Sequence, residues 1–248
     1  MTSRTRTRTR ALAFAFVAAV LLAAAATAVP ARGLEGQGYE PAKPSRDGIG
    51  KRYLGREIAG VMGWQGAAWL ERNEREQEER TDLLVAELHL AAGAQIADIG
   101  AGTGYVSRRL AVAVGATGKV FAVDVQPEMI RMLTQLAERD RLPQIVPVLC
   151  AIDDVRLAPA SIDLALLVDV YHELEYPLEV LGSVVRALKP GGRIVFVEYR
   201  AEDGGVPIKA LHKMSLAQIK REALVLPLEF ERVDEVLPWQ HIVVFRKR

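Results

Sequence analysis

The feature that most constrains the fold of this chain is a ten-residue stretch, Ile96–Tyr105. It begins with a short apolar run and continues directly into glycines at every second position, Gly100, Gly102 and Gly104. A helical pattern follows. Glycine has no Cβ, so backbone N–H groups in such a loop can approach a ligand closely, and the helix N-terminus behind them favours a negatively charged group. The stretch therefore predicts a strand, a ligand-binding loop and a helix of an α/β sheet, with a nucleotide-like ligand.

The spacing of these glycines separates two classes of nucleotide site. A dinucleotide-binding loop follows the pattern G-x-G-x-x-G. Here the third glycine, Gly104, comes one residue early, and Tyr105 stands in its place. The spacing disfavours a nicotinamide or flavin cofactor, and an NAD-dependent oxidoreductase is kept only as an alternative.

Strand-like and helix-like segments alternate along the rest of the chain. Strands are predicted over 95–99, 119–125, 144–149, 161–168 and 192–199, and helices over 103–114, 127–139, 178–188 and 215–224. The strand segments are continuously apolar, which is typical of parallel strands buried on both faces. Such alternation favours right-handed βαβ units and a doubly wound sheet. Two final strands, 230–237 and 240–246, are too close for a crossover helix and are predicted to pair antiparallel.

The N-terminal quarter is predicted to contain three different segments. Four arginines in the first ten residues precede an alanine-rich apolar stretch at 11–28, which predicts a signal peptide or N-terminal anchor over 1–31. The chain would then be exported or membrane-anchored; with a misassigned start codon it would be cytoplasmic. Residues 32–63 are rich in glycine and proline and are predicted to be a linker. The domain would span 64–248, and its charged helical stretch at 67–90 is predicted to form an N-terminal helical lid.

Charge and cysteine content narrow the range of partners. The net charge of the 248 residues is +1, but without the four N-terminal arginines 28 basic residues face 31 acidic ones. The body of the protein therefore lacks the basic surface expected for nucleic-acid binding. The single cysteine, Cys150, excludes a disulfide within the chain and a cysteine-based metal site.

Acidic residues lie at or just after the carboxyl ends of three of the predicted strands, at the sheet edge where ligands of α/β folds bind. Asp98 lies in the first of these strands, Asp124 ends the second, and Asp153 and Asp154 follow the third. A carboxylate in the place of Asp124 can accept hydrogen bonds from both ribose hydroxyls and disfavours a 2′-phosphate. One of the pair Asp153 and Asp154 is predicted to accept from the exocyclic amine of adenine.

Taken together, these segments resemble the class I S-adenosylmethionine-dependent methyltransferases over residues 85–200. The segments that carry the resemblance are Asp98–Gly104, Val123–Asp124, Asp153, Ile162–Leu164, Val168–His172 and Leu188–Arg193. The resemblance implies a Rossmann-like, mostly parallel seven-stranded sheet whose last strand is antiparallel. It also implies S-adenosylmethionine as cofactor and direct in-line transfer of its methyl group.

The resemblance also assigns cofactor contacts. The methionine part would be held by Asp98 and the loop residues Gly100, Ala101, Gly102, Thr103 and Gly104, and the ribose by Asp124. Asp153 would lie by the adenine, and its spacing to Leu157 favours it over Asp154. The predicted cofactor-binding set is completed by Tyr105, Val125 and Asp169.

Candidate catalytic residues follow the fourth predicted strand. Histidine is a common general base, so His172 could take a proton from an O–H or N–H acceptor, with Glu173 beside it; alternatively, His172 caps or orients the loop. No H-E-x-x-H motif is formed, so the sequence predicts no metal site. His212 and Lys213 are candidate substrate contacts.

The sequence thus favours a methyltransferase acting on a small-molecule acceptor. It predicts no nucleic-acid partner and no membrane contact except through the N-terminal anchor, and it leaves the acceptor and the oligomeric state open. A protein that binds S-adenosylmethionine without turnover is the alternative.

Overall fold

The structure, a computed structural model, describes Met1 and residues 38–248. Apart from Met1, the predicted signal peptide or anchor at 1–31 lies outside the described residues. Within residues 38–248, which belong to one compact unit, no helix is long and apolar enough to cross a membrane.

Residues 39–59 form a small antiparallel sheet, which corrects the predicted linker. Its strands are β1 (Tyr39–Pro41), β2 (Gly48–Tyr53) and β3 (Arg56–Ala59), in the order β1-β2-β3. Among the glycines that suggested a linker, Gly48 and Gly50 lie in β2, and Gly55, with φ +88°, lies in the tight turn between β2 and β3. Tyr53 and Ile58 are buried against Leu178, so the sheet packs on the rest of the domain.

Three short helices replace the single helical stretch predicted at 67–90. They are α1 (Ala67–Leu70), α2 (Arg75–Glu79) and α3 (Thr81–Glu87). Arg80 between α2 and α3 has a left-handed backbone with φ +47°, which interrupts the helical path. As predicted, the later half packs on the domain, because Leu84 and Leu88 are buried in its core.

Seven strands form the central sheet: β4 (Gln95–Ile99), β5 (Lys119–Asp124), β6 (Ile145–Leu149), β7 (Ile162–Val168), β8 (Leu188–Tyr199), β9 (Leu228–Asp234) and β10 (Gln240–Lys247). Their order is β6-β5-β4-β7-β8-β10-β9, and β10 runs antiparallel to both of its neighbours. This confirms the predicted mostly parallel sheet with an antiparallel last strand. The largest shift of a strand start is in β8, which begins four residues before the predicted 192.

Helices cover both faces of this sheet. They are α4 (Ser107–Val114), α5 (Pro127–Arg139), α6 (Pro177–Ala187) and α7 (Leu216–Ala223). One core cluster includes residues of α6 and α7, and the other includes residues of α3, α4 and α5. Strand order switches between β4 and β7, so the carboxyl ends of β4, β5 and β7 meet at the edge where open α/β sheets bind ligands.

Candidate active site

A cavity of about 790 Å³ lies at this edge of the sheet. Its wall includes the glycine loop after β4, the end of β5 and the turn after β7. The segments at 46–49, 60–62 and 207–212 also contribute to the wall. Its volume is within the range of small-molecule sites, which is roughly 300–1,000 Å³.

The glycine loop forms one wall of the cavity. Gly100 and Gly102 have φ values of +70° and +55°, which favour glycine. A Cβ on Gly100 would lie 2.3 Å from Cγ2 of Val170, so the loop could not keep this path with another residue there. Gly100, Ala101 and Gly102 all line the cavity, as the sequence predicts.

Thr103 and Gly104, by contrast, are not among the residues that line the cavity. The Thr103 hydroxyl donates a hydrogen bond to Glu71 at 2.6 Å. Gly104 makes room for α5, because a Cβ there would lie 2.9 Å from Cδ2 of Leu133. Both residues contact other parts of the protein, and the structure does not bring these two predicted cofactor contacts to the cavity wall.

Asp98 is a buried carboxylate in the cavity wall. Ser107 donates a hydrogen bond to its Oδ2 atom at 2.5 Å. Burial raises the pKa of Asp98 to about 6, although the Ser107 hydrogen bond and the charge of Arg75 act in the opposite direction. A ligand cation placed next to this group would stabilise its charged form.

Asp124 ends β5 with both of its oxygens already oriented. Oδ2 accepts from the N–H of Gly102 at 3.0 Å and Oδ1 from the N–H of Gln126 at 2.8 Å. Burial raises the pKa of Asp124, while these backbone hydrogen bonds lower it. Each oxygen keeps a second acceptor site, and the neighbouring Val125 is exposed in the wall.

The predicted adenine contact, Asp153, is not brought to the cavity wall. Its side chain is exposed, and the wall there is formed by Ala151, Ile152 and Val155. Asp154 is engaged elsewhere, in an ion pair with Arg186 at 2.7 Å.

Asp169 follows β7 and lines the cavity. Its backbone is left-handed, with φ +50°. Oδ2 accepts from Gln240 at 3.1 Å, and the buried Oδ1 has no hydrogen-bond partner among the described residues. Burial raises its pKa well above the usual range, and the neighbouring carboxylates of Glu79 and Glu198 raise it further.

Helices α1 and α2 lie over the glycine loop and form part of the wall through Trp69, Leu70 and Arg75. They are bonded to the rest of the domain at several points, which include Glu76 and Glu71. Glu76 accepts from the Tyr105 hydroxyl at 2.9 Å and pairs with Arg109 at 2.8 Å; Glu71 pairs with Arg108 at 2.5 Å. The Tyr105 ring lies under the guanidinium groups of Arg75 and Arg109, at 4.2 and 4.0 Å.

The segment from Met62 to Trp64, called the cover here, is bonded to residues on two sides of the cavity. The side-chain amide of Gln126 accepts from the N–H of Trp64 at 2.7 Å and donates to the carbonyl of Met62 at 3.0 Å. The N–H of Met62 donates to Oε2 of Glu173 at 3.1 Å. Gln126 follows Asp124 at the end of β5, and Glu173 belongs to the turn after β7.

Away from the glycine loop, the cavity wall contains a polar cluster of His172, Glu173 and His212. His172 and His212 are joined by a hydrogen bond of 3.1 Å between Nε2 and Nδ1. Oε1 of Glu173 lies 3.3 Å from Nδ1 of His212 and 3.8 Å from Nε2 of His172. The structure thus brings together the two predicted catalytic residues and one predicted substrate contact.

Glu198 fixes the orientation of His172. Its Oε2 atom lies 2.6 Å from Nδ1 of His172, and its Oε1 atom accepts from the N–H of Tyr171 at 2.8 Å. With Nδ1–H donated to this carboxylate, a neutral imidazole leaves the Nε2 lone pair on the side of His212 and Glu173. The sequence analysis did not identify Glu198; the signal was an acid in the otherwise apolar strand 194–199.

Lys213 is not among the residues that line the cavity. Its ammonium group donates to the carbonyls of Val206 at 2.6 Å and Asp203 at 3.2 Å. Lys209, which the sequence analysis did not select, lines the cavity instead.

Comparison with known proteins places this site in a family. Residues 97–196 match the family model described as "Methyltransferase domain". The ubiquinone/menaquinone biosynthesis C-methyltransferase UbiE of Burkholderia mallei is 28% identical over 119 residues, which are 46% of this chain and 47% of that protein. UbiE of Burkholderia thailandensis gives the same figures. The chain therefore spans about half the length of the curated relatives it matches.

Solved structures share the fold at low identity. A SAM-dependent methyltransferase from Aquifex aeolicus has a TM-score of 0.72 and 21% identity, covering 76% of this chain and all of that one (100%). The [4+2]-cyclase SpnF has a TM-score of 0.59 and 17% identity, covering 68% and 79%. The family match and these neighbours indicate S-adenosylmethionine as the cofactor. Residues 97–196 of this chain therefore match a methyltransferase domain, and the domain has the fold of the class I S-adenosylmethionine-dependent methyltransferases.

Proposed function

We propose that this protein transfers the methyl group of S-adenosylmethionine directly to a small-molecule acceptor. The observation that carries the proposal is a single cavity lined both by a cofactor-type glycine loop with two acids and by a polar cluster of His172, Glu173 and His212. In-line transfer from a sulfonium needs mainly positioning in a site from which water is excluded. The two parts of the wall correspond to the two reactants.

The cofactor side of the proposal rests on charge and hydrogen bonding. Asp98 is buried in the wall and would complement the ammonium group of the methionine moiety. Asp124 would accept from the two ribose hydroxyls, because each of its oxygens retains an acceptor site beside its backbone hydrogen bond. Hydrogen bonds to a carboxylate are each worth about 1.5–3 kcal/mol.

The acceptor side of the proposal rests on space and polarity. A cavity of about 790 Å³ that also holds the cofactor has room only for a small acceptor. Apolar wall residues such as Val61, Met62 and Ile208 lie near the polar cluster, which suits an organic molecule with one polar reacting group. We include His172 and Glu173 as residues that contact this group.

The identity of the acceptor is not transferred from the relatives. UbiE is a C-methyltransferase of ubiquinone/menaquinone biosynthesis, but the match covers 46% of this chain at 28% identity. The fold is also shared with a [4+2]-cyclase, and a shared fold does not fix the reaction. The second candidate function is therefore a protein that binds S-adenosylmethionine without transferring its methyl group.

The first experiment is a calorimetric titration of the full chain with S-adenosylhomocysteine, with NAD as the control ligand. We expect binding of the former alone. Asp124→Ala should weaken it at least about 100-fold, since two hydrogen bonds to a charged group are lost. The matched control is Asp163→Ala, because Asp163 lies at the amino end of β7 and pairs with Lys189. Binding of NAD without S-adenosylhomocysteine would contradict the proposal.

A second experiment separates the enzyme from the binding protein. The full chain is incubated with methyl-labelled S-adenosylmethionine and with phenols, thiols, amines and carboxylic acids in turn, and labelled products are identified by mass spectrometry. A labelled product that disappears in Asp124→Ala supports methyl transfer. Tight cofactor binding without any labelled product favours the binding protein.

A further inference from the structure

We propose that His172, Glu173 and His212 form a binding site for one divalent metal ion, for which Zn²⁺ fits best. The inference goes beyond methyl transfer and does not depend on it, because it stands on the geometry of three side chains. The sequence predicted no metal site, since the third ligand comes from a segment 40 residues away from His172 along the chain.

The three ligand atoms have the spacing of a tetrahedral zinc site. Nε2 of His172, Nδ1 of His212 and Oε1 of Glu173 are separated by 3.1, 3.3 and 3.8 Å. Ligands bonded to tetrahedral Zn²⁺ at 2.0–2.2 Å are roughly 3.4 Å apart. A point about 2 Å from each of the three atoms therefore exists without any side-chain movement.

Neighbouring groups orient two of these ligands from behind. Glu198 binds Nδ1 of His172 at 2.6 Å, which is the carboxylate–histidine arrangement that accompanies metal-bound histidine in many proteins. Glu198 is itself held by the N–H of Tyr171. Glu173 accepts the Met62 N–H on Oε2, so its Oε1 atom is directed to the two histidines.

The donor set and its surroundings indicate the type of ion. Two imidazoles and one carboxylate suit zinc and other divalent transition metals, and they match the three-ligand zinc sites that keep a fourth position open. The side chains of His172, Glu173 and His212 are only 2%, 11% and 21% exposed, yet all three line the cavity. A metal there would bind an oxygen, nitrogen or sulfur atom of the acceptor in its open position.

A metal-free alternative uses the same atoms. His212 could donate from Nδ1–H to Nε2 of His172 and to Glu173, which gives a chain of hydrogen bonds ending at Glu198. In that arrangement the His172 lone pair is occupied by a proton donor and is not available to a cation. The two arrangements are therefore exclusive, and metal binding distinguishes them.

The test is titration of the chelator-treated full chain with zinc sulfate by calorimetry, with metal analysis after dialysis. We expect one zinc per chain. His212→Ala and Glu173→Gln should weaken binding more than 100-fold, and Glu198→Gln, which changes a supporting group, by about 10–100-fold. His89→Ala is the matched control, because this histidine is 69% exposed and does not line the cavity.

Two results would overturn the inference: no stoichiometric zinc in the wild-type chain, or zinc binding that survives both His212→Ala and Glu173→Gln. Circular dichroism reports whether each variant is folded, and S-adenosylhomocysteine binding is measured on the same preparations. Zinc binding without S-adenosylhomocysteine binding would count against the proposed function alone. The reverse would count against the metal site alone.

Discussion

Removing the guanidinium group of Arg56 should destabilise the whole domain, although Arg56 lies in a segment that the sequence presented as a linker. Arg56 in β3 forms two hydrogen bonds to Glu222 of α7, at 2.7 and 2.9 Å. A third hydrogen bond, at 3.0 Å, goes to the carbonyl of His172. The Glu222 side chain is 0% exposed and that of Arg56 is 10% exposed, so the pair is shielded from water.

The expected cost follows from this burial. Arg56→Met keeps the apolar length of the side chain but leaves the buried carboxylate of Glu222 with Gln218 as its remaining side-chain hydrogen-bond partner among the described residues. Breaking one side of a buried ion pair costs about 3–5 kcal/mol. For a domain of this size each kcal/mol lowers Tm by roughly 2–4 °C, so the expected shift is about 6–20 °C.

The assay is urea and thermal unfolding of the full chain, followed by circular dichroism. Arg52→Met is the matched control, because Arg52 lies in the neighbouring strand β2 with its side chain exposed; we expect it to change stability by about 0.5 kcal/mol or less. Adding Glu222→Gln to Arg56→Met should restore roughly 2 kcal/mol or more, since no buried charge is then left unpaired.

Two outcomes would refute this reasoning. One is a cost below about 1 kcal/mol for Arg56→Met, which would mean that the pair is effectively solvated. The other is a double variant less stable than Arg56→Met, which would mean that the lost contacts, and not the unpaired carboxylate, cause the loss of stability.

Three further predictions concern the cofactor side of the cavity. Burial raises the pKa of Asp98 to about 6, so Asp98 should lower the free energy of unfolding by about 3 kcal/mol as the pH rises from about 4 to about 6. Asp98→Asn should remove this loss, so the variant should gain stability relative to wild type in urea unfolding over that pH range. Gly100→Ala should cost roughly 2–4 kcal/mol through its left-handed backbone and the collision with Val170, and adding Val170→Ala should recover part of it in the same assay. Asp153→Ala should weaken S-adenosylhomocysteine binding by less than about tenfold in calorimetry, since the carboxylate is exposed and outside the cavity wall, and a larger loss would show that Asp153 contacts the ligand.

The central sheet could be predicted because its strands carry a strong local signal. Strands buried on both faces read as continuous apolar runs, and β4, β7 and β10 were placed within one residue at each end. The three strands β1–β3 were missed because they are short, lie in a segment rich in glycine and proline, and contain few apolar residues. Their burial depends on contacts with Leu178, which is more than 100 residues away and invisible in local patterning.

Whether a site residue could be predicted from the sequence also depends on whether its position is set by local or by long-range contacts. Asp98 and Asp124 follow from their position at strand ends, where the fold itself brings them to the ligand edge. The contacts of His172 with Glu198 and His212 span 26 and 40 residues, and no spacing rule relates those positions. Asp153 was selected from the family resemblance and its spacing to Leu157, and the local path of the loop leaves its side chain outside the wall.

The cover at Met62–Trp64 has a consequence for the order in which ligands bind. The cover is hydrogen-bonded to Gln126 on one side and to Glu173 on the other. A movement of the cover that opens the proposed cofactor part of the cavity would therefore also change the proposed acceptor part. Ligands that share such an element are thermodynamically linked, and each changes the affinity of the other by the same factor. We expect cofactor and acceptor to behave as a coupled pair, with reciprocal effects on binding.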